Sequence, residues 1–586
     1  MKKYLKKSFS LILALGMTLS MTSNSFAYSK NDKEKITNTG ISLKVPQTLN
    51  ITSPDKDITT TSSSYTIYGT SNPNLPLYLN NSEVTNRGSQ GSFAVSVTLS
   101  EGKNSVTVSQ GGNSDTVYIT KTQATAATAT AITNSFPTTT QIAQSGDEIT
   151  LKCTAPAGSS VYADFLGERY ELKQNVPTAS KGIAAVFSLK ITVPSVSKAD
   201  DYGSITYTLV NNGSTSTYKS VGNMFVSPKN KDILVQSTQV AAAVYEGDNT
   251  DTNIIAVLSH STIDKVIDQN ETMYKISMGG WIPKTLVKPL IGNYSHINTI
   301  KSLQRDYTDL GESYILRGNS YSPFIFDNTD EYLKVTLFNT RGVNGFSADS
   351  SEIFSSIDVA SSNGNTIITF YKKNPKSLWG YGIEYNQGET VIYCRKPPVT
   401  TGNEQLPLEG IVVAIDPGHG GGDPGALGTA RLTGPTEKDL ALATSIAVKN
   451  RLESLGAVVV MAREDDVRVN FNHRMNTAVK QRADFFISIH YNSSTNTTAT
   501  GYEVYFYNDE SKAFAKNIEN ALVNNTDRKN RGTIRTPFRV VLDTYCPSVL
   551  TEVEFVSSPK GYDDSCSTQN LYEVANAMAD AIINTL

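Results

Sequence analysis

The sequence predicts a multidomain chain in which N-terminal all-β sandwich modules precede a C-terminal α/β domain with a mostly parallel sheet. Three observations predict this. The chain has 586 residues, several times the roughly 100–200 of a single domain. Up to about residue 394 its apolar residues alternate in short runs broken by Gly, Asn and Pro, the pattern of half-buried strands. After Pro397-Pro398 the runs become continuous and are separated by helical periodicity, the pattern of βαβ units. Hydrophobic residues reach 39% against 18% charged, enough apolar material for several cores, which excludes wholesale disorder. The 52 Lys+Arg and 55 Asp+Glu nearly balance, with no basic stripe, which argues against a nucleic-acid binder.

At the N-terminus, Lys2, Lys3, Lys6 and Lys7 precede an apolar run from Phe9 to about Leu19 and then Ser25-Phe26-Ala27. A charged start, a short apolar core and small residues before the cut site predict a signal peptide, 1–27, removed on secretion. The apolar run is shorter than the roughly 20 residues that span a bilayer. Loss of four lysines takes the formal charge from −3 to −3 − 4 = −7. Residues 28–42 form a polar leader.

Residues 43–121 carry period-two runs such as Phe93, Val95, Val97 and Leu99, predicting a small sandwich. The stretch from Tyr65-Thr66-Ile67-Tyr68-Gly69 through Glu101-Gly102-Lys103-Asn104 resembles bacterial immunoglobulin-like modules. A Thr/Ala-rich tract, 122–133, predicts a linker. A second sandwich follows over 134–227, with Ile149, Leu151 and Cys153 and then Phe187, Leu189, Ile191 and Val193 alternating until Pro194 stops the strand. Residues 228–394 are β-rich, and Gly279-Gly280-Trp281-Ile282 resembles the end of a bacterial SH3-like module. Trp281, Trp379, Tyr381 and Tyr385 have the ring faces to stack on sugars, but aromatics in β domains more often fill cores. A stiff linker, 395–407, leads to the last domain, 408–586.

In that domain Ile411–Ile415, Ala457–Met461 and Phe485–Ile489 predict buried parallel strands. Glu437 opens a helix with Leu440, Ala443, Ala447, Val448 and Leu452 on one stripe, and Gly456 is placed to stop it. A second helix is predicted around Arg474–Arg482. The four cysteines, Cys153, Cys394, Cys546 and Cys566, are too few for a disulfide framework. Cys546 and Cys566 share a predicted domain, where one bridge would fit, but isolated buried thiols are the plainer expectation.

Of the five histidines, His419 and His490 each follow a predicted buried strand of this domain, and open α/β sheets place their sites at the carboxyl ends of strands. Two imidazoles there with one carboxylate would make a three-ligand zinc site with an open fourth position, and Glu437, opening the helix after the first strand, is the natural third ligand. Singly, each residue has a plainer explanation, such as a helix-start carboxylate complementing the dipole. His473, mid-helix, has no metal-type neighbour; His260 and His296 lie in the β region without partners.

Over Ile415-Asp416-Pro417-Gly418-His419-Gly420-Gly421, Glu437-Lys438-Asp439-Leu440, Arg463, Arg474, Ala483-Asp484-Phe485-Phe486-Ile487-Ser488-Ile489-His490 and Leu550-Thr551-Glu552-Val553-Glu554-Phe555-Val556, in that order, the domain resembles the zinc-dependent N-acetylmuramoyl-L-alanine amidases. The resemblance implies a Zn2+ ion on His419, Glu437 and His490, and Glu552 as the catalytic group acting on metal-bound water. It implies peptidoglycan as partner and a secreted, wall-associated enzyme that cuts between N-acetylmuramic acid and L-alanine. The β modules are then expected to hold the enzyme at the wall through other cell-wall polymers, with spacing it from the wall or blocking its groove as alternatives. The chain departs from the family where Glu-x-Gly-Phe is usual: it reads Glu552-Val553-Glu554-Phe555, with Ser558 in place of Asn. Two residues apart on a strand, Glu552 and Glu554 are expected on one face, either both towards the zinc or with the extra carboxylate beyond the site on the groove rim. The alternatives are a zinc peptidase on wall peptides, which differs only in the bond cut, and a non-catalytic wall adhesin, whose signature would be a missing ligand.

Overall fold

The computed structural model describes residues 30–586 except 124–127, 178, 293, 344–345, 387 and 543. The expected signal peptide, 1–27, therefore lies outside the described residues, as does the middle of the expected linker 122–133. No helix among the described residues is long and apolar enough to cross a membrane.

The region before the last domain is strand-rich, as its alternation predicts. Strands Asn50–Ser53, Ser64–Thr70 and Phe93–Thr98 form one sheet, facing a second in which Gly102–Gln110 pairs with Asn113–Lys121. Ile51, Ile67, Phe93, Val106, Val108 and Ile119 fill the space between them. A six-stranded sheet over 148–219 packs Leu151, Cys153, Phe187 and Tyr207 inward. The tract read as a linker ends inside this module: Ile132 is buried in its core and Thr133 bridges Thr154. The Thr/Ala composition hid one large apolar residue with a core to enter. A seven-stranded sheet spans 233–289, and two more sheets over 302–395 enclose Tyr314, Leu333, Phe354 and Phe370.

The C-terminal domain is a three-layer α/β unit. Its strands are β1 (Val412–Pro417), β2 (Val458–Met461), β3 (Phe485–Asn492), β4 (Tyr502–Phe506), β5 (Asn530–Arg535) and β6 (Ser548–Phe555), in sheet order β2-β1-β3-β6-β4-β5. The sheet is mixed, with four of its five strand pairings parallel and one antiparallel. β1, β2, β3 and β6 are mutually parallel, but β4 runs antiparallel to β6, and β5 follows β4. The physical reason lies in the loop 493–501, which is too short to carry the dozen or more residues of a crossover, so the chain returns in the opposite direction.

The domain draws its helices from both ends of the chain. Helix α1 (Lys30–Thr37) belongs to the stretch read as a polar leader; the others are α2 (Glu437–Ser454), α3 (Phe471–Lys480), α4 (Ser511–Asn525), α5 (Pro559–Ser565) and α6 (Thr568–Thr585). α2, α4 and α6 cover one face, where Leu440, Ala443, Val448, Phe514, Val574 and Met578 meet Val413, Ile415, Phe485 and Ile487. Ile36 and Val45, 3% and 1% exposed, enter this same core. α3 covers the other face, with Ala478 against Ala414, Phe486 and Leu550. All four cysteines are free and buried. Cys566 and Cys546 belong to the cores on opposite faces of the sheet, so the bridge considered between them does not form.

Two modules are fixed to this domain at different ends. The 302–395 module docks where β3 begins, with Arg395 paired to Asp484 at 3.1 Å and Trp379 Nε1 donating to the Asp484 carbonyl at 2.8 Å. Trp379 also packs edge-on against Phe485 and Tyr381 is buried, so these two aromatics are structural. The first module docks near α5: Gln90 N–H donates to Asp563 Oδ2 at 2.6 Å, Ser92 Oγ to the Pro559 carbonyl at 3.2 Å, and Thr52 Oγ1 to the Thr429 carbonyl at 2.8 Å.

Candidate metal centre

The centre forms where β1 and β3 end and α2 begins. Thr436 caps α2, its N–H donating to Asp439 at 2.9 Å, and this fixes Glu437 as the first helical residue. Glu437 is buried at a sheet end, and the two imidazoles converge on it. His419 Nε2 lies 3.0 Å and His490 Nδ1 2.9 Å from the same Glu437 oxygen. The ligand atoms of His419, Glu437 and His490 all lie within 4.8 Å of one another. The second Glu437 oxygen accepts from the Ala426 N–H at 2.7 Å, so the carboxylate cannot rotate freely.

The His419 loop is held in a conformation it would not choose alone. His419 has φ +56°, the left-handed region that costs a non-glycine residue energy. Two arginines hold it there. Arg474 binds Asp416 at 2.5 Å and the His419 carbonyl at 2.6 Å, and Arg463 binds the Gly418 carbonyl at 2.7 Å. Gly418 passes so close to His490 that a Cβ there would lie 2.5 Å from His490 Cε1. Asp423 accepts from His419 Nδ1 at 3.0 Å and turns Nε2 towards Glu437, the carboxylate–histidine arrangement that orients metal ligands.

The electrostatics follow from the crowding. Burial opposes charge on His419, but Glu437 and Asp423 outweigh it and raise the imidazole to about 9. Burial likewise opposes charge on His490, and Glu437 and Glu552 overcome it, raising that imidazole. Burial pushes Glu437 up, while the two imidazoles hold it well below the usual carboxylate range.

Glu552 stands directly across from His490 in the β3–β6 register and from Glu503 in the β6–β4 register. Burial, with the charges of Glu437 and Glu503 adding to it, lifts Glu552 to about 7 against the pull of the imidazoles. Its Oε2 is buried and, among the described residues, has no hydrogen-bond partner. Glu554 does not share this position, contrary to the same-face expectation. The β3–β6 register jumps from His490–Glu552 to Asn492–Phe555, a bulge that breaks the alternation. Glu554 then accepts from Gly501 N–H and pairs with Arg528 at 3.2 Å, both side chains nearly inaccessible. His473 lies outside the centre, its Nε2 donating to the Ala462 carbonyl at 3.1 Å, and His260 contacts Ser261. Sequence reasoning missed Asp423 and Glu503. Asp423 lies in the same glycine-rich loop as His419, a signal that was available; Glu503 reaches Glu552 only through the antiparallel pairing of β4.

Residues 413–584 match the family model described as N-acetylmuramoyl-L-alanine amidase. The Bacillus subtilis protein YqiI is 37% identical over 182 residues, 30% of this chain and 84% of YqiI. The probable cell wall amidase LytH of Staphylococcus aureus is 33% identical over 156 residues, 27% of this chain and 52% of LytH. The chain thus spans about half the length of that relative. Among solved structures, the catalytic domain of the N-acetylmuramoyl-L-alanine amidase CwlV of Bacillus (Paenibacillus) polymyxa is 34% identical, covering 30% of this chain and 97% of that one with a TM-score of 0.29. The N-acetylmuramoyl-L-alanine amidase AmiC2 of Nostoc punctiforme is 36% identical, covering 30% and 96%, with a TM-score of 0.28.

Proposed function

The chain belongs to the N-acetylmuramoyl-L-alanine amidase family, its match lying in residues 413–584, and from that premise we propose that it is a secreted, zinc-dependent hydrolase of the amide bond between N-acetylmuramic acid and the L-alanine of the stem peptide. The observation that carries the reading is one carboxylate oxygen shared by two imidazoles beside a glutamate whose buried oxygen has no partner among the described residues. The donor set suits zinc, with a carboxylate and two imidazoles, which a metal binds in their neutral form by displacing a proton, leaving a position open. His419 Nε2, His490 Nδ1 and Glu437 would hold the ion, and Asp423 would orient His419. Bound there, zinc would supply Lewis acidity towards water and the amide carbonyl.

The chain's own residues would do the rest. Glu552, raised to about 7, is matched to take a proton from the attacking water near neutral pH and to return it to the alanine nitrogen as the C–N bond breaks. Water's oxygen goes to the lactyl carbon as a carboxylate, and the amine leaves as the free N-terminus of the peptide. Arg463 and Arg474 keep the His419 loop in place throughout. The β modules would keep the enzyme at the wall.

The test is digestion of purified peptidoglycan by the full chain, scoring new alanine amino groups against new reducing sugar. Amine release that stops on chelation and returns with zinc supports the reading. Reducing sugar without amines, or full turnover after exhaustive metal removal, overturns it. Cleavage within the stem peptide would instead favour a peptidase.

A further inference from the structure

An open cleft of about 480 Å³ lies between the first β module and the catalytic domain. One wall is the module strand Ser64–Thr70, which presents the half-buried ring of Tyr68, while Tyr65, on the other face of the strand, packs against the module's own core. The other wall is built from the two segments that carry the candidate histidines. Arg431 lies on the loop that continues from His419 towards Glu437, and Ser493, Ser494 and Thr495 directly follow the strand that carries His490. The cleft therefore adjoins the metal centre along the chain on both sides.

Its chemistry is specific. Arg431 takes φ +52° and stacks over Tyr68, its guanidinium carbon 5.4 Å from the ring centroid. Among the described residues no carboxylate pairs with it, so its N–H groups are available to a ligand. A phenol ring, a guanidinium and three hydroxyls make a site for a ring that has apolar C–H faces and a polar rim. That is a sugar, not an apolar peptide side chain. The cleft's geometry does not depend on a loose tether. The Thr52–Thr429, Gln90–Asp563 and Ser92–Pro559 hydrogen bonds fix the module, and Asn86 Nδ2 reaches Thr497 Oγ1 at 3.3 Å beside the hydroxyl-bearing loop.

We propose that this cleft is a subsite for a sugar unit of the glycan strand, so that the first β module forms part of the substrate site and is more than a wall anchor. This inference rests on the amidase reading for the identity of the polymer. It assigns Tyr68 to stacking on a pyranose face, Arg431 and the 493–495 hydroxyls to its polar rim, and a glycan-bearing substrate as the preferred one.

The probe is a peptide-free tetrasaccharide of alternating N-acetylglucosamine and N-acetylmuramic acid, titrated calorimetrically into the full chain. The wild type binds it, Tyr68→Ala and Arg431→Gln each weaken binding at least tenfold, and Tyr68→Phe stays within about threefold because the stacking face is kept. Equal binding by wild type and all variants overturns the proposal, as does a wild type that does not bind. If free stem peptide binds in this cleft, and Arg431→Gln abolishes that binding but not that of the tetrasaccharide, the assigned occupant is wrong. Amine release from whole peptidoglycan is measured in parallel. A chain that releases amines but binds no glycan here refutes the subsite alone. One that binds glycan through Tyr68 and releases no amines refutes the amidase reading alone.

Discussion

Replacing Gly418 by alanine tests the metal centre through a single methyl group. Gly418 does not use the left-handed φ region reserved for glycine, so its backbone accepts alanine without strain. The obstacle is steric. The new Cβ would sit 2.5 Å from His490 Cε1, 2.6 Å from Nδ1 and 2.8 Å from Nε2, whereas ordinary contact begins near 3.4 Å. Either the imidazole or the loop must therefore yield by about 0.9 Å. The loop is clamped by Arg463 and Arg474, so the ring moves. Metal–ligand distances tolerate only about 0.2 Å, and a misplacement of about 1 Å in an active site costs on the order of 10²-fold in rate. Gly418→Ala should thus lose at least about 10²-fold in amine release and bind zinc weakly, while melting close to the wild type. The assay is metal content by mass spectrometry beside peptidoglycan turnover and thermal melting. A Gly418→Ala chain that keeps one tightly bound zinc and full turnover would show that His490 is not a ligand.

Four further outcomes follow from the same geometry. Glu552→Gln keeps the side chain's shape but cannot accept a proton, so turnover should fall roughly 10²–10⁴-fold with zinc retained by elemental analysis. Glu554→Gln leaves Arg528 buried without its counter-charge; urea unfolding should register a loss of about 3–5 kcal/mol, with metal content unchanged. Gly88→Ala would place a Cβ 2.2 Å from Asp563 Oδ2 and 2.4 Å from the Pro559 carbonyl, so hydrogen exchange at 559–563 should rise as the first module detaches. Burial lowers Lys284 to about 7, against the opposing charge of Glu271. An unfolded lysine titrates near about 10.4, so between these values the unfolded chain binds the extra proton and stability rises with pH. The urea midpoint should therefore climb from pH 7 to 10, and Lys284→Met should flatten that slope.

What the sequence made legible, and what it did not, divides along the range of the interactions involved. The convergence of His419 and His490 could be anticipated because each follows a continuous apolar run, and a parallel strand's carboxyl end is a local feature. Glu437 could be found because it opens a helix. Glu552 came from the family resemblance, since nothing local separates it from Glu554. The two are told apart by a bulge that forms only when β6 pairs with β3, and periodicity cannot anticipate an unpaired residue. The antiparallel course of β4 was hidden for a similar reason: it depends on a loop length and on the neighbour the strand finds. Composition marked the leader as polar because seven of the eight α1 residues are; burial of Ile36 depends on a surface some four hundred residues away in the chain.

That last packing makes the catalytic domain discontinuous. Its core includes Ile36 and Val45 from the start of the described chain and Leu408 and Ile411 from the far side of the modules. The β modules are therefore a closed loop, tied at both ends to one body, and not beads on a free string. A tether fixed at both ends cannot swing its modules far from the groove, and it keeps them at high effective concentration beside it. The arrangement also bears on how the protein can be cut. Burying an aliphatic side chain stabilises by about 1.5–3 kcal/mol, so losing the segment that carries Ile36 and Val45 costs about 3–6 kcal/mol in a domain whose whole stability is about 5–15 kcal/mol. A protease that severs the chain between Val45 and the first module leaves the segment held only by its own contacts. Clipping of that one connection would thus act on the hydrolase from behind its sheet, without touching a residue of the groove.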